Sequence, residues 1–315
     1  MSGPDTEKIG SRVSMLIQDS DGGRRELLGR LLSETVLVKK DGTEITFNPS
    51  QVLSWKVVPE QPERRPMSTR IREIEQASSA TFPAVEVAQL GGWELRASGG
   101  FTNRANSVLP HGAPPFGEPN GDLAQAIDVV IDFYRSRELV PNFQVPLPSY
   151  AALDSALEEL GWESTLEVSV QICQLEQLIK ESEHSVEISV DPDQEWLSVF
   201  DRPLGQDGLA VLTGGGGFFA KIRQVDPVTG NQVVAAIGRC AVFEKWCGFT
   251  AINTVSQFQR RGLAKSIIQS LAGRARSMGA EQAFLQVSAN NVPAITLYQK
   301  LGFTQHHTYK YRSLT

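Results

Sequence analysis

The feature that most constrains how this chain can fold is a repeat. Sliding the sequence along itself by 141 residues places Gly121 on Gly262, Ile127 on Ile268, Arg135 on Arg276, Ser136 on Ser277, Phe143 on Phe284, Leu160 on Leu301 and Gly161 on Gly302, without a gap. These seven identities over residues 120–168 stand against roughly three expected from average residue usage, so identity alone is only suggestive. Any two helix-strand-helix-strand segments would share some of the pattern. Placement says more. Each copy reads glycine, amphipathic helix, strand, second helix, then Leu-Gly-aromatic (Trp162 or Phe303) entering a strand, which is one supersecondary unit used twice. The chain should therefore be a mixed α+β protein with two similar halves.

The copies part company where chemistry would reside. The first has Pro119-Asn120-Gly121-Asp122 where the second has Arg260-Arg261-Gly262-Leu263, and Leu157 and Tyr150 stand where the second has Tyr298 and Asn291. An acidic side chain at the start of a helix repels an anion from the N-H groups there. Only the second copy should hold a phosphate-bearing ligand.

Around this repeat the bulk numbers set limits. A length of 315 residues suits two or three domains. The formal net charge of -6 lacks the basic excess expected of a nucleic-acid binder. Cys173, Cys240 and Cys247 have no metal-ligand spacing and fit a reduced compartment. Residues 1–12 contain no apolar run like a signal peptide, and no membrane-length apolar stretch occurs, so the expected location is the cytoplasm.

Ahead of the repeat, residues 12–18, 26–32, 35–39, 43–47 and 52–58 read as short strands, with turns at Asp21-Gly22-Gly23 and Asp41-Gly42. Five short strands in residues 8–58 suggest a small, closed or nearly closed all-β barrel that resembles Src-homology-3-like modules. It serves either to bind or merely to pack. Residues 59–67 hold three prolines among charges and read as a linker. The first half then covers 68–163 and the second 164–315. Residues 209–213 and 218–223 are read as flanking a hairpin turn at Gly214 to Gly217, since no phosphate-loop Lys-Ser or Lys-Thr follows the glycines.

The strongest chemical signal is Gln259-Arg260-Arg261-Gly262-Leu263-Ala264, between a strand-like run at 249–255 and an amphipathic helix at 263–278. A strand ending in a small-residue loop that opens a helix presents unpaired N-H groups at the positive end of the helix dipole. Gly262 lets the backbone approach a pyrophosphate, and Arg260 and Arg261 add charge at the rim. Alone this pattern is weak. Downstream, however, comes Asn291-Val292-Pro293-Ala294-Ile295-Thr296-Leu297-Tyr298-Gln299-Lys300-Leu301-Gly302-Phe303. Together, in this order and spacing, the two segments resemble the GNAT superfamily of N-acyltransferases.

That resemblance implies a tandem of GNAT-like folds, the first degenerate, and acetyl-CoA as donor. By the match, Gln259, Arg260, Arg261, Gly262, Leu263 and Ala264 would cradle the diphosphate. Ile252, Thr254 and Val255 would pair with the pantetheine amides, and Asn291 would bond the cofactor arm. Tyr298 falls where GNAT enzymes often keep a general acid; a phenol of pKa ~10 suits a departing thiol of ~8.5. The residues also admit blander roles, Tyr298 as a packing aromatic and Asn291 as a helix N-cap.

The acceptor amine must lose a proton before it attacks, and GNAT proteins commonly place a Glu near the fourth strand to take it. Residues 249–255 hold none, which leaves Glu244 at the preceding turn as candidate base or as a solvated turn residue. The stretch from Gly99 to Ser107 resembles one in an actinobacterial group of GNAT proteins that also begin with a Src-homology-3-like barrel. In it Asn103, Arg104 and Asn106 are expected to line an acceptor pocket between the halves, where Arg104 could grip a carboxylate. The expected activity is acetyl transfer to the amine of a small molecule or peptide by direct attack. A tandem enzyme like mycothiol synthase, or a non-catalytic acetyl-CoA sensor, are the alternatives. Neither nucleic acid nor membrane is an expected partner, and a homodimer is compatible with this reading.

Overall fold

The alternation of apolar residues near the N-terminus folds as strands should. In β1 (Arg12–Gln18) every second residue, Val13, Met15 and Ile17, is buried, and these meet Leu27 and Leu31 of β2 (Arg24–Ser33). With β3 (Val36–Val38), β4 (Glu44–Thr46) and β5 (Val52–Val57) they form an antiparallel sheet ordered β4-β3-β2-β1-β5. Gly22 and Gly42 turn the chain with φ of 85° and 83°, a conformation that glycine reaches without strain. β4 and β5 are the sheet's edges, and no ladder joins them among the described residues.

This is a computed structural model; it describes residues 8–39, 41–58, 65–200 and 202–315. The chain divides into two units, Met1–Arg65 and Pro66–Thr315. Most of the expected linker, residues 59–64, lies outside the described residues.

The second unit opens with α1 (Met67–Thr81), followed by β6 (Glu86–Leu90), β7 (Trp93–Ala97), β8 (Val108–Pro110), α2 (Leu123–Arg135), β9 (Asn142–Leu147), α3 (Ala151–Glu159) and β10 (Glu163–Gln174). It continues through α4 (Leu175–Leu178), β11 (Glu187–Ser189), α5 (Gln194–Val199), α6 (Gln206–Thr213), β12 (Phe218–Val225), β13 (Gln232–Phe243) and β14 (Trp246–Thr254). Last come α7 (Leu263–Ser277), β15 (Gln282–Ser288), α8 (Val292–Lys300) and β16 (Thr304–Ser313). All eleven strands join one mixed sheet ordered β11-β12-β13-β14-β15-β10-β16-β9-β8-β7-β6.

The repeat is physical. At the 141-residue offset α3 and α8 coincide residue for residue, β10 and β16 begin together, and Gly121 and Gly262 share a left-handed φ of 79° and 80°. The final strands pair with each other at the centre of the sheet, from Glu163↔Ser313 to Ile172↔Thr304, so each copy's end faces the other's beginning. Each also flanks the opposite copy: β10 pairs with β15, and β16 with β9. Residues 68–163 and 164–315 therefore do not stand as separate bodies. They are halves of one sheet whose closing strands are exchanged.

Helix faces supply the cores. In α7, Leu263, Ile267, Ile268, Leu271, Ala272 and Ala275 recur at helical spacing and bury against β12, β13 and β14. In α2, Ala126, Ile127, Val130 and Tyr134 do the same against Trp93, Phe143 and Trp162. α1 lies over the join, with Ile74 and Ala77 packed on Val168, Val170, Tyr309 and Tyr311.

The hairpin expected around Gly214 is absent. Residues 209–213 belong to α6, and Gly214–Gly216 form a 3-10 turn. A short apolar run cannot distinguish helix from strand by period. The glycines serve close packing: a Cβ on Gly215 would lie 2.8 Å from the Ala80 carbonyl at the end of α1, and one on Gly217 2.8 Å from the Arg239 guanidinium. No helix among the described residues is long and apolar enough to cross a membrane.

Candidate active site

The site begins with a defect in β14. That strand pairs with β13 along its length, but the register breaks between Ile237 and Arg239, so that Ala251 and Ile252 oppose the single residue Gly238. Ala251 takes up the extra length with a left-handed φ of 54°. Gly238 has no room for a side chain, since a Cβ would sit 2.4 Å from Ile267 of α7 and 2.7 Å from Ile252. On its other edge β14 runs parallel to β15 only from Trp246↔Gln282 to Phe249↔Leu285. Beyond Phe249 the two strands part, and no ladder between them uses the β15-facing main-chain groups of residues 250–254.

At the open end of this split the chain turns through Ser256–Phe258, anchored by the fully buried Phe258, and enters α7. Gly262 is the N-cap, with no side-chain cap, so the first-turn N-H groups of Leu263, Ala264 and Lys265 face outward at the positive pole of the helix. Gly262 itself has room, since the nearest atoms to a Cβ there would be Glu183 Oε2 at 3.8 Å and His184 Nε2 at 3.9 Å, and the Glu183 carboxylate is paired with Lys265 Nζ at 2.6 Å. Arg260 is exposed, with φ of 61°. Arg261 lies over Phe258, its guanidinium 5.4 Å from the ring centroid, and bonds the Gln257 carbonyl at 3.3 Å. Gln259 donates to the Thr254 carbonyl at 3.3 Å, which ties the loop to the strand. An uncapped helix start beside an exposed arginine fits a diphosphate; the unpaired strand edge fits an amide-bearing arm.

Two cavities follow this edge. One, of about 680 Å3, is lined by Asn253, Thr254, Val255 and Gln259 together with Val199 and Phe200. The other, of about 460 Å3, opens at the bulge and draws on both halves: Asn103 and Arg104 from the first, Thr250, Ala251 and Gln286 from the second. Phe200 and Arg202 line both. Phe200 is held there by stacking on Trp196 at 5.5 Å.

The floor of the second cavity is polar and braced. Tyr309 donates to Gln286 Oε1 at 3.2 Å, and Gln286 donates to Glu75 at 3.4 Å. Glu75 is buried on α1, where it also takes Gln144 at 2.6 Å and pairs with His307 at 2.8 Å. Behind Thr250 lies Arg239, fully buried, which donates to the Thr81 and Gly214 carbonyls at 3.0 and 2.6 Å. Burial, reinforced by the charge of Arg104, pulls its guanidinium down to about 10.

The expected residues fare unequally. Thr254, Val255 and Gln259 line one cavity, and Arg260, Arg261, Gly262, Leu263 and Ala264 follow directly at the start of α7; the Ile252 side chain packs instead on the core beside Gly238. Asn103 and Arg104 reach the cavity between the halves, but Asn106 does not: its Oδ1 accepts from the N-H groups of Ser98 and Gly100 at 2.7 and 3.0 Å, and its Nδ2 donates to Thr102. It is a buried brace that shapes the loop. Glu244 is also displaced. It sits exposed, with φ of 50°, in the tight turn that begins β14, five residues before the bulge-side wall at Phe249, or roughly 16 Å along a strand. It belongs to the turn and not to the site.

Asn291 is the N-cap of α8, accepting from Ala294 N at 3.2 Å, which leaves its Nδ2 for other work. Tyr298 is buried in the core against Phe303, ring centroids 5.9 Å apart, and lines neither of these two cavities, though Phe303 meets Phe249 of the second cavity's wall at 6.3 Å. Its hydroxyl has no protein partner among the described residues, and burial pushes the phenol up to about 12. Sequence reasoning missed His184, which holds the Arg261 carbonyl at 3.0 Å, and the Gln286–Tyr309 pair. A long-range contact to a main-chain carbonyl leaves no mark in local sequence.

Comparisons with known proteins agree with this architecture. The family described as "Probable histone acetyltransferase Rv0428c C-terminal" matches residues 68–312. The chain is 27% identical over 321 residues to the probable histone acetyltransferase Rv0428c of Mycobacterium tuberculosis, covering 96% of this chain and 94% of that protein. It is 27% identical over 249 residues to the uncharacterized N-acetyltransferase YobR of Bacillus subtilis, covering 77% of this chain and 98% of YobR. Among solved structures, a GCN5-related N-acetyltransferase from Kribbella flavida shares the fold at a TM-score of 0.55 and 15% identity, over 77% of this chain and 95% of that one. The chain thus belongs to the Rv0428c C-terminal family and is a GNAT-type N-acetyltransferase.

Proposed function

We propose that the protein transfers the acetyl group of acetyl-CoA to the amine of a small molecule or peptide by direct attack within the second half. One observation carries this reading: β14 splits from β15 at a bulge and runs from there to the uncapped start of α7. Bound acetyl-CoA supplies an activated acyl carbon. The N-H groups of Leu263, Ala264 and Lys265, with Arg260 and Arg261 at the rim, grip its diphosphate. Main-chain groups from Thr250 to Thr254 align the arm, and Asn291 Nδ2 adds a donor.

The acceptor nitrogen, in the cavity at Ala251, forms the new C-N bond as the C-S bond breaks. It loses its proton to water, and the departing sulfur takes one from the Tyr298 hydroxyl, which solvent then restores. Burial suits Tyr298 to this task because it keeps the phenol protonated across the physiological range. The missing carboxylate base leaves water as the first proton acceptor.

The N-terminal unit we read as a Src-homology-3-like barrel. Its support is the five-stranded antiparallel order with a 3-10 turn at Pro49–Gln51 just before β5.

A thiol-release assay with acetyl-CoA and a broad amine panel tests the whole proposal. Free CoA should appear only when an acceptor is present. Binding of acetyl-CoA with no release for any amine would instead support a sensor.

A further inference from the structure

We infer that the acceptor carries a carboxylate as well as its amine, so that the substrates are amino acids or short peptides with a free acid and not basic protein tails. This rests on the proposed acetyl transfer. The cavity at the bulge is unusual in its charge. Arg104 and Arg202 line it, Arg239 lies behind Thr250, and among the described lining residues there is no Asp or Glu. Its polar side chains otherwise come from uncharged groups such as Asn103, Thr250, Gln286, Ser288 and Tyr309.

Arg104 is the residue that stands out. It has no ion pair or hydrogen bond among the described residues, and its Nε is buried without a partner. Its guanidinium lies 5.2 Å from the centroid of the Phe82 ring. A cation left partly desolvated and unpaired is costly, and a planar carboxylate is the group whose two oxygens match its fork. The neighbouring charges do not relieve it. Arg239 lies over the same Phe82 ring at 5.6 Å and adds positive potential, but it does not line the cavity: its Nη1 and Nη2 donate to Thr250, Thr81 and Gly214, and its Nε, also buried without a partner, faces the backbone of Gly217. Glu75, behind Gln286, is already bound by His307 and Gln144. Asp207 of α6 lies against the backbone of Gly99, behind the loop. Arg202 is exposed at the rim.

Among the described residues, Arg104 is the one arginine that both lines the cavity interior and lacks a partner there, which matches a single negative charge. The same field opposes a lysine-rich peptide, whose flanking ammonium groups would meet Arg104 and Arg202, with Arg239 buried behind, and no acid among the described lining residues.

The test uses the full chain with acetyl-CoA and paired acceptors: amino acids, ω-amino acids and dipeptides, each beside its C-terminal amide, with ethanolamine phosphate and a lysine-rich peptide as further arms. The best acid should exceed its amide in kcat/KM by roughly 10²-fold. Arg104→Gln should bring that ratio to about one without changing acetyl-CoA affinity, and Arg104→Lys should restore part of it. Amides acetylated as fast as acids, a preference for the lysine-rich peptide or for the phosphate, or equal losses for every acceptor in Arg104→Gln would each overturn the inference. If acetyl-CoA itself fails to bind, the underlying transferase reading fails instead, so the two are separable. Because Arg104→Gln could disturb the loop, N-acetylglycine and its amide are also compared as stabilisers of the wild-type protein in the presence of CoA; equal thermal shifts would count against the carboxylate.

Discussion

The first half keeps the second half's scaffold and lacks its opening. α2 and α7 both follow a glycine held at a φ of about 80°, yet Asp122 caps α2 by accepting from Gln125 N at 2.9 Å, whereas α7 has no side-chain cap. The loop ahead of α2 is tied to the hairpin turn between β6 and β7 by the bond from Gly92 N to the Glu118 carbonyl at 2.8 Å. Its β8 has three residues and meets β9 at one pair, Val108↔Phe143, where the second half has a bulged strand of nine. The helix faces and the Leu-Gly-aromatic entry survive because packing demands them. Free N-H groups are not needed for packing, and in the first half that of Gln125 is satisfied internally by a carboxylate. A duplicated fold can thus retain its core while losing a ligand site through one carboxylate and one shortened strand.

The sharpest way to break this contrast is to make the same change in both copies. Gly262→Val and Gly121→Val place a side chain at matched left-handed backbones, so each should lose about 1–2 kcal/mol of stability. Acetyl-CoA affinity, read by calorimetry, should fall roughly 10³-fold in the first and stay level in the second, since two or more bonds to a charged group are at stake. Similar losses in both would mean that the first half also binds.

Next in size is Tyr298→Phe. Turnover should drop roughly 10²-fold while acetyl-CoA affinity holds, and unchanged turnover would remove Tyr298 from proton transfer. Its pH dependence has a definite sign. The phenol is active when protonated and burial raises it to about 12, so kcat should climb as the acceptor deprotonates and show no falling limb below pH ~10. The same shift makes folding stability full below the unfolded tyrosine value of ~10 and lost as pH rises from there toward 12.

The smallest effects belong to the residues at the margins. Asn291→Ala should cost about 1 kcal/mol through loss of the α8 cap, seen in the melting temperature. Glu244→Gln should leave kcat within about twofold of the original, because an exposed turn residue exerts little influence through solvent.

Much of this was legible in the chain itself. The bounds of α7, the start of α8 at Asn291 and the turn at Gly262 follow from helical periodicity, capping and glycine placement, which are local signals. The exchange of β10 and β16 was not, because strand partners are chosen by the whole sheet and leave no periodic trace. Nor was the helix before Gly214, whose short apolar run suits either period. Within the site, the anion cradle was readable because it is one contiguous loop. Asn106 and Glu244 were misplaced because their roles depend on where a side chain points and how far a strand runs. The Arg104 environment is assembled from α1, the 98–107 loop and the central strands, and only the folded chain brings these together.

The claim beneath all of this is that one half of a two-copy fold retains a working cofactor site. Calorimetric titration of the full chain with acetyl-CoA measures it directly, through the stoichiometry. One acetyl-CoA per chain is the predicted result; two per chain, or none on folded protein, would contradict it.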